Sequence, residues 1–331
     1  MGDMAITSDG HQAPAIAAQA RPQAAFGVLA AQRAVAALGD VWTLRILRTI
    51  FRGKRRYGDF VKELGVSRAV LTDRLGKLVE QGVLMRDTAD GGHPQYRLSA
   101  MGLDLWSLFL AMWLWEHDWG AAIDPDTWAP DQPRGAVLHA ACAKIMRPQL
   151  LCLHCREEVR PTQTAMPAPV LPRVGVGQFA SVPAAASTFR RARSVASDAP
   201  QSTMRVSRVI GDRWNAVLVG EAFRGTRLFS QFESALGIGP AQLSDRLAEL
   251  QELGILQAQA YAGARQEYRL TKAGIALFPM TLELIRWGSQ WLVPPEQALH
   301  LQHRSCGQTL VARWHCDQCR QMLARDKVRF V

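Results

Sequence analysis

The sequence contains one long segment twice, and this duplication limits the possible folds more than any other feature. Residues 38–84 (LGDVWTLRILRTIFRGKRRYGDFVKELGVSRAVLTDRLGKLVEQGVL) align without gaps with residues 210–256 (IGDRWNAVLVGEAFRGTRLFSQFESALGIGPAQLSDRLAELQELGIL). Beyond this segment, Tyr96 falls on Tyr268. Because a repeat of this length corresponds to a whole domain, the 331-residue chain should hold two copies of one fold, joined by a linker.

Helical periodicity and stop signals predict the same elements in each copy. In the first copy, apolar residues recur at helical spacing as far as Gly53, and a short second helix ends at Gly65. Ser67 is a suitable N-cap for a third helix, and the roughly alternating residues of VLMRD and QYRLS on either side of TADGGHP predict a two-stranded β-hairpin. This order is typical of the winged helix-turn-helix, whose third helix enters the DNA major groove. Periodicity alone also fits a small helical domain with a hairpin and no DNA-binding role.

Several motifs carry a family resemblance. GDVW, FRGKRRYGDFVKELGVSRAVLTDRLGKLVEQGVL and PQYRLSAMG resemble the HxlR-type winged-helix transcriptional regulators of bacteria, and the second copy, with IGDRW and EYRLTKAG, is similar to a further member. The resemblance covers roughly residues 30–120 and 203–292. It implies a mainly α fold with small β-hairpins, DNA binding near a promoter, and a dimer built through the terminal helices. The duplication suggests an intrachain pseudo-dimer on one operator, with an ordinary homodimer as the alternative.

The resemblance also places the DNA-reading elements. Recognition helices fall on residues 67–81 and 239–253, and wings fall on residues 84–98 and 256–270. The side chains expected at the DNA are Ser67, Arg68, Thr72, Arg74, Arg97, Gln242, Ser244, Arg246, Arg265 and Arg269.

The two recognition helices begin differently, which predicts unequal DNA contacts. The first begins SRAVLTDR and the second GPAQLSDR, so Arg68 can contact guanine or phosphate while the second copy offers no cation there. An aspartate precedes both Arg74 and Arg246, so a local salt bridge stays open beside a phosphate contact. The wing arginines are phosphate candidates or ordinary solvated strand residues.

All six cysteines lie in two copies of one spacing, HxxC followed by nine residues and CxxC. Structural zinc takes four nitrogen or sulfur ligands, and each copy offers four. We therefore expect a zinc-ribbon-like cluster behind each winged helix, with disulfides or free thiols as alternatives. The candidate ligands are His139, Cys142, Cys152 and Cys155 in the first copy, and His303, Cys306, Cys316 and Cys319 in the second. The second copy fits better because a glycine follows Cys306, and His154, His300 and His315 leave the nitrogen ligand open.

Composition supports a cytoplasmic protein with an anionic partner. The net charge is +10, but most of the excess lies outside the two cores, so charge is only weak support for DNA binding. No export signal or membrane-spanning run is apparent, which predicts reduced thiols. The expected segments are a disordered tail (1–25), winged-helix domain 1 (26–121), cysteine cluster 1 (135–160), a flexible linker (161–204), winged-helix domain 2 (205–293) and cysteine cluster 2 (299–331).

Three functions remain open at this point. A sequence-specific DNA-binding transcriptional regulator is best supported; the others are a metal- or redox-responsive sensor and a protein-binding adaptor that has lost DNA recognition. Oxidant sensors of the family carry a cysteine before the first helix, and FGVLAAQRAVAALGD has none, so that thiol switch is not expected. No catalytic motif stands out, so we expect no enzyme activity. The helically spaced tryptophans favour packing over a pocket for an aromatic effector, whose identity the sequence leaves unknown.

Overall fold

The computed structural model of the chain describes residues 23–87, 94–123, 135–165, 205–262 and 265–331. The predicted turn of the first wing, at residues 88–93, lies outside these ranges. So do the tail as far as residue 22 and the linker from residue 166 to residue 204.

The first half of the chain forms six helices and a two-stranded wing within its described residues. The elements are α1 (Gln23–Leu38), α2 (Val41–Phe51), α3 (Tyr57–Leu64), α4 (Arg68–Glu80), β1 (Leu84–Asp87), β2 (Gln95–Leu98), α5 (Ala100–Leu103) and α6 (Trp106–Ile123). β1 and β2 pair antiparallel, with Leu84 opposite Leu98. This arrangement confirms the winged helix-turn-helix prediction for the first copy.

The second half repeats these elements. They are α7 (Val206–Ile210), α8 (Arg213–Phe223), α9 (Phe229–Leu236), α10 (Pro240–Glu252), β7 (Leu256–Ala262), β8 (Arg265–Leu270), α11 (Lys272–Ile275) and α12 (Phe278–Trp291). β7 and β8 form the second wing, with Leu256 opposite Leu270. Two structural copies therefore accompany the two sequence copies.

Local chemistry explains where the helices begin and end. Asp40 caps α2 by accepting a hydrogen bond from the Trp42 amide at 2.9 Å, and Ser67 caps α4 by accepting from the Val70 amide at 3.4 Å. Gly65 ends α3 in the left-handed region at φ 59°, where a side chain would be strained. Its counterpart Gly237 does the same after α9, at φ 57°. The turn before each recognition helix is thus fixed by one glycine.

The remaining strands lie in the two cysteine-bearing segments, residues 135–165 and 299–331, which together we call the cysteine module. They are β3 (Val137–His139), β4 (Lys144–Met146), β5 (Pro148–Cys152), β6 (Thr164–Ala165), β9 (Gln302–His303), β10 (Ala312–Cys316) and β11 (Val328–Phe330).

In the cysteine module, strands of one segment pair with strands of the other. β5 pairs antiparallel with β10 about Leu150 opposite Trp314, which are equivalent positions of the two copies. β3 pairs with β11 through His139 and Val328, and β6 pairs with β9 through Thr164 and His303. Exchanging the two copies converts the β3–β11 pairing into the β6–β9 pairing and leaves the β5–β10 pairing unchanged, as a pseudo-twofold axis requires. The cysteine module is therefore one joint structure.

The helical parts of the two halves also exchange equivalent contacts. The indole N–H of Trp115 donates to the carbonyl of Ala273 at 2.8 Å, and the indole N–H of Trp287 donates to the carbonyl of Met101 at 2.9 Å. Both tryptophans are buried, and one hydrophobic cluster runs through both halves. The burial of this pair agrees with the packing interpretation of the tryptophans. The two cores are docked against each other.

Terminal helices cross between the halves. α1 packs on α12, and α7 packs on α6. A Cβ on Gly288 of α12 would lie 2.1 Å from the Ala30 carbonyl oxygen of α1, so a glycine is required for the helices to approach this closely. The N-terminal helix of each half therefore covers the last helix of the other half.

Three expectations from the sequence differ from the structure. α1 begins at Gln23, so its first residues overlap the predicted disordered tail (1–25), and this helix was not predicted from the sequence. Residues 161–165, predicted as linker, form a 3₁₀ turn and β6, because β9 of the other copy supplies hydrogen-bond partners for that strand. Finally, the expectation of a self-contained cysteine cluster behind each domain is wrong, since the strands pair across the copies.

Candidate nucleic-acid interface and metal centres

The first turns of α4 present a polar surface. Ser67, Arg68 and Thr72 are exposed, and the Tyr57 hydroxyl lies 3.1 Å from the Thr72 hydroxyl while donating to the carbonyl of Arg68. Tyr57 thus ties α3 to the start of α4. The Arg68 side chain extends from an anchored backbone and can reach an anion in front of the helix.

The equivalent surface of α10 carries no cation. Gly239 occupies the N-cap position without a side-chain hydrogen bond, and Pro240 is the first helical residue. Gln242 and Ser244 are exposed. This surface can donate and accept neutral hydrogen bonds, but it lacks the charge-assisted contacts that an arginine would make.

Arg74 and Arg246 form ion pairs within the protein. Arg74 contacts the carboxylates of Asp40 and Asp73, and its side chain is only 16 % exposed. Arg246 contacts the Asp212 carboxylate at 3.1 Å, with a side chain 23 % exposed. Arg74 thus forms the salt bridge with its preceding aspartate that the sequence left open, whereas Arg246 pairs with Asp212 and with Glu249 at 2.8 Å. A phosphate contact stays a prediction for both arginines.

These ion pairs connect the two recognition helices. The backbones of Asp40 and Asp212, which are equivalent residues, form an antiparallel bridge. Because Asp40 holds Arg74 of α4 and Asp212 holds Arg246 of α10, a continuous chain of contacts runs from one recognition helix to the other. These contacts lie near the pseudo-twofold axis and hold the two recognition helices at a set spacing.

The wing arginines are exposed. Arg97 lies 3.1 Å from the Asp87 carboxylate, and Arg269 lies 2.6 Å from the Glu267 carboxylate. Arg265 is exposed at the start of β8. The exposed Arg97–Asp87 pair is of a weak kind, so that guanidinium group remains able to exchange partners, whereas Arg269 pairs with a buried carboxylate.

The eight predicted metal ligands meet in two groups of four, and each group draws on both copies. The first group contains His139, Cys142, Cys316 and Cys319, and the second contains Cys152, Cys155, His303 and Cys306. The HxxC of one copy is therefore combined with the CxxC of the other. The expected pairing within a copy is wrong, because β5 and β10 cross between the copies and carry the CxxC turns with them.

Distances within each group suit a tetrahedral ion. The Sγ atoms of Cys142 and Cys316 are 3.9 Å apart, and His139 Nδ1 lies 3.3 Å from Cys319 Sγ. In the second group, Cys152 Sγ and Cys306 Sγ are 4.0 Å apart. Zn–S and Zn–N bonds of about 2.3 and 2.0 Å at tetrahedral angles would separate such atoms by roughly 3.5 to 3.8 Å. The cysteines are free, so the disulfide alternative does not apply to this structure.

Tight turns follow each pair of ligands. Ala143 and Gly307, at equivalent positions after the HxxC pairs, have φ of 54° and 69°. Arg156 and Arg320, after the CxxC pairs, have φ of 65° and 61°. These left-handed residues bend the backbone around the ligand atoms, and an alanine tolerates that conformation less well than a glycine.

The three further histidines lie outside both groups. His315 is buried, with Nδ1 2.9 Å from the carbonyl oxygen of Arg313 and Nε2 2.8 Å from the Arg156 guanidinium. His154 and His300 are exposed. The candidate nitrogen ligands are thus His139 and His303, both buried.

A buried polar cluster joins the cysteine module to the helices. The Trp314 indole N–H donates to Glu283 Oε1 at 2.9 Å, and Ser107 Oγ donates to Glu283 Oε2 at 2.7 Å. Arg286 contacts the same carboxylate at 2.7 Å and Asp104 at 2.9 Å. This cluster was not predictable from the sequence because its members are far apart in the chain. It is asymmetric, since alanine and leucine replace Glu283 and Arg286 at the equivalent positions of the first copy.

Among the described residues, no helix is both long enough and apolar enough to cross a membrane.

Comparison with known proteins gives a family match for both halves and several similar regulators. A family model described as HxlR-like helix-turn-helix matches residues 37–124 and again residues 209–296. An uncharacterised HTH-type transcriptional regulator of Mycobacterium tuberculosis is 37 % identical over 131 residues, which are 39 % of this chain and 83 % of the relative. The HTH-type regulator YvaP of Bacillus subtilis, also uncharacterised, is 34 % identical over 89 residues, 26 % of this chain and 82 % of the relative.

A solved structure, of the candidate transcription factor PA1607, is 34 % identical with a TM-score of 0.36, covering 40 % of this chain and 96 % of the other. The two family matches together span more than half of the sequence and coincide with the two winged helices. The chain therefore belongs to the HxlR-like helix-turn-helix family and contains its domain twice.

Proposed function

We propose that this protein is a DNA-binding transcriptional regulator in which one chain reads two half-sites. Membership of a helix-turn-helix family and the regulator names of its relatives support the DNA-binding role. The observation that carries the two-half-site proposal is the contact chain from Arg74 through Asp40 and Asp212 to Arg246. It gives the two recognition helices a fixed spacing, which dimeric readers obtain by pairing two chains.

The two recognition surfaces should read unequal half-sites. Arg68, beside Ser67 and Thr72, can make bidentate contacts to guanine or hold a phosphate. Gln242 and Ser244 can contribute only neutral hydrogen bonds from the equivalent surface. We therefore expect a pseudo-palindromic operator in which the half-site bound by α4 is the better defined of the two. The wings, through Arg97, Arg265 and Arg269, would contact phosphates.

We further propose that both cysteine and histidine groups hold zinc with a structural role. Each group offers three thiolates and one imidazole at distances suited to tetrahedral coordination, with no exchangeable ligand. Zinc would supply charge neutralisation and four directional bonds at each site. Because the ligands come from both copies, the ions would clamp the halves together and support the spacing of the recognition helices.

Selection of random duplex DNA by the purified, zinc-loaded chain tests the DNA-binding proposal. The expected result is enrichment of one motif with two half-sites a fixed distance apart. Enrichment of nothing beyond salt-sensitive background binding would refute sequence-specific recognition, because phosphate contacts alone carry no sequence information. The adaptor function would then become the better explanation.

A metal-responsive regulator is the second candidate, favoured by the ligand sharing between copies. Loss of zinc would free the halves at the cysteine module, and specific DNA binding would weaken. Specific affinity should then fall on chelation and return when zinc is restored. Unchanged affinity after complete metal removal would leave the ions with a stabilising role only.

A further inference from the structure

The loop between α2 and α3 carries three adjacent cations. Lys54, Arg55 and Arg56 follow the turn at Gly53, and all three residues are exposed. Their side chains form no ion pair with any described residue. The next acid along the chain, Asp59, accepts a hydrogen bond from the Arg56 backbone amide at 3.4 Å at the start of α3. The loop therefore presents a net positive charge to solvent.

Backbone hydrogen bonds join this loop to the first wing. The Tyr96 amide donates to the carbonyl of Arg55 at 2.8 Å, and Arg56 forms an antiparallel bridge with Gln95. Both contacts lie on the edge of β2 that does not pair with β1. The three cations are thus held beside the wing by a short stretch of strand pairing.

The same loop is also tied to the recognition helix. Tyr57 follows it directly, and its hydroxyl donates to the carbonyl of Arg68 at 3.1 Å and lies 3.1 Å from the hydroxyl of Thr72. Arg68 and Thr72 are exposed in the first turns of α4. In a winged helix bound to DNA, the recognition helix lies in the major groove and the wing along the backbone. A cationic loop that contacts both elements is therefore well placed for the phosphates that border the groove.

The backbone of the second copy takes the same course. The Tyr268 amide donates to the carbonyl of Arg227 at 2.8 Å, and Leu228 forms an antiparallel bridge with Glu267. These four residues are equivalent to those that join the loop to the wing in the first copy. The loop geometry is thus a property of both domains.

The side chains on this shared backbone differ in charge. Thr226 and Leu228 replace Lys54 and Arg56, so Arg227 is the only cation of the three equivalent positions. Thr226 is buried and donates to the carboxylate of Glu221 at 3.1 Å, and Leu228 is half-buried. Because the second copy folds the same loop without these two cations, the fold does not require them. Their charge is available for a partner.

On the basis of the proposed DNA-binding function, we propose that Lys54, Arg55 and Arg56 bind DNA phosphates beside the half-site of α4. This site makes the first copy the half that holds DNA irrespective of sequence. Lysine and arginine contacts to phosphate position a protein on the duplex and carry no sequence information. Each neutralised phosphate releases a counterion, so the salt dependence of the affinity reports how many such contacts are made.

Fluorescence anisotropy titrations over a series of salt concentrations test this assignment. The metal-loaded full chain is compared with the variant Lys54→Gln, Arg55→Gln, Arg56→Gln on the selected operator and on an unrelated duplex. Each lost phosphate contact should reduce the slope of log affinity against log salt by about 0.9, so the triple variant should lose roughly 2 to 3 in slope. Affinity at about 0.1 M salt should fall at least tenfold for both duplexes, leaving their ratio unchanged.

A matched control separates a local contact from the effect of net charge. The variant Arg325→Gln, Lys327→Gln, Arg329→Gln removes three exposed cations from the cysteine module. We expect its salt slope and both affinities to stay at the wild-type values. Circular dichroism and melting curves would show whether each variant is folded. The single variant Arg55→Gln, expected to lose about 0.9 in slope, gives the same test with a smaller perturbation.

Three results would each overturn the phosphate site: an unaltered slope in the loop variants, an equal loss of slope in the control, or a loss of affinity confined to the operator. If the wild-type chain selects a motif and the loop variants keep its slope, only the phosphate site fails. If the wild-type chain selects no motif, sequence-specific regulation fails, and the slopes on the unrelated duplex still decide the role of the loop. Failure of the wild-type chain to bind any duplex would overturn both.

Discussion

Paired cysteine substitutions can distinguish shared metal sites from sites confined to one copy. In the structure, Cys142 and Cys316 belong to the same group although they come from different copies. Replacing both with alanine should destroy one site and leave the other complete. Replacing Cys142 and Cys152, which come from the same copy, should damage both sites at once. Pairing within each copy would give the opposite pattern.

The expected effect on metal content is large. A structural zinc site contributes about 10 to 16 kcal/mol, so loss of two of its four ligands leaves on the order of half that value. Such a site binds with a Kd of roughly micromolar or weaker and loses its ion during desalting, while a complete site retains it. We therefore expect about two zinc ions per wild-type chain, as the structure offers two groups. We expect one for the cross-copy pair. In the same-copy pair each site keeps three ligands and about three quarters of that value, so both ions should be held more weakly than in the wild type and should be lost together to a competing chelator added before desalting.

Elemental analysis by inductively coupled plasma mass spectrometry after desalting gives these ratios directly. A second cross-copy pair, Cys152→Ala with Cys306→Ala, is the matched control and should also retain one ion. The reasoning would be refuted if, after chelator treatment, the same-copy variant kept one zinc while the cross-copy variants kept none. Retention of no metal by the wild-type chain would refute zinc binding itself.

Three further predictions concern DNA contacts, ion pairing and pH. Arg68→Ala should weaken DNA binding by about 1 to 3 kcal/mol, because only the arginine can make charge-assisted contacts. Gln242→Ala should weaken DNA binding less. A larger loss of affinity for Gln242→Ala in a fluorescence anisotropy titration would contradict the asymmetry. Arg74→Ala should lower the free energy of unfolding by roughly 1 to 3 kcal/mol, because it removes the partner of a largely buried carboxylate. Lys77→Ala, which removes an exposed ion pair, should cost under about 0.5 kcal/mol. Equal denaturation midpoints for the two variants would contradict this prediction. Burial raises the pKa of Glu116 to about 7, so the folded protein holds a proton that the unfolded chain releases near its ordinary pKa. Stability should therefore fall by up to about 3 kcal/mol as pH rises from 5 to 8, and Glu116→Gln should abolish that part of the slope in denaturation curves at each pH.

Much of each winged helix could be predicted from sequence because its signals are local. Ser67, Gly65 and the alternating residues of the wing act on their immediate neighbours, and the observed helix α4 begins and ends as these signals indicated. The repeat also predicted correctly that two such domains are present. Local signals do not indicate how the two copies pack against each other.

The pairing of the metal ligands is the clearest case of missing information. Both copies have the same HxxC and CxxC spacing, so exchanging partners between them leaves every ligand type unchanged. The choice depends on β5 pairing with β10 and on packing contacts such as those of Trp115 and Trp287. Those contacts join residues that are more than a hundred positions apart. Residue identities could therefore be predicted, but their partners could not.

The role of Arg74 shows a similar limit. Its sequence neighbour Asp73 suggested a local salt bridge, and the structure adds Asp40, the N-cap of another helix. Only the fold brings Asp40 beside Asp212 and gives the ion pair a place in the spacing of two recognition helices. We therefore propose that Arg74 helps to hold the reading surface in position, while its contact with DNA stays a prediction.

The central claim is that one chain supplies both recognition helices for one operator. The most direct measurement is the mass of the complex between the zinc-loaded protein and its selected duplex, combined with hydroxyl-radical footprinting of that complex. We predict one chain per duplex and protection of two half-sites, with protection of one half-site lost when Arg68 is replaced by alanine. Two chains per duplex, each protecting a single half-site, would contradict the claim.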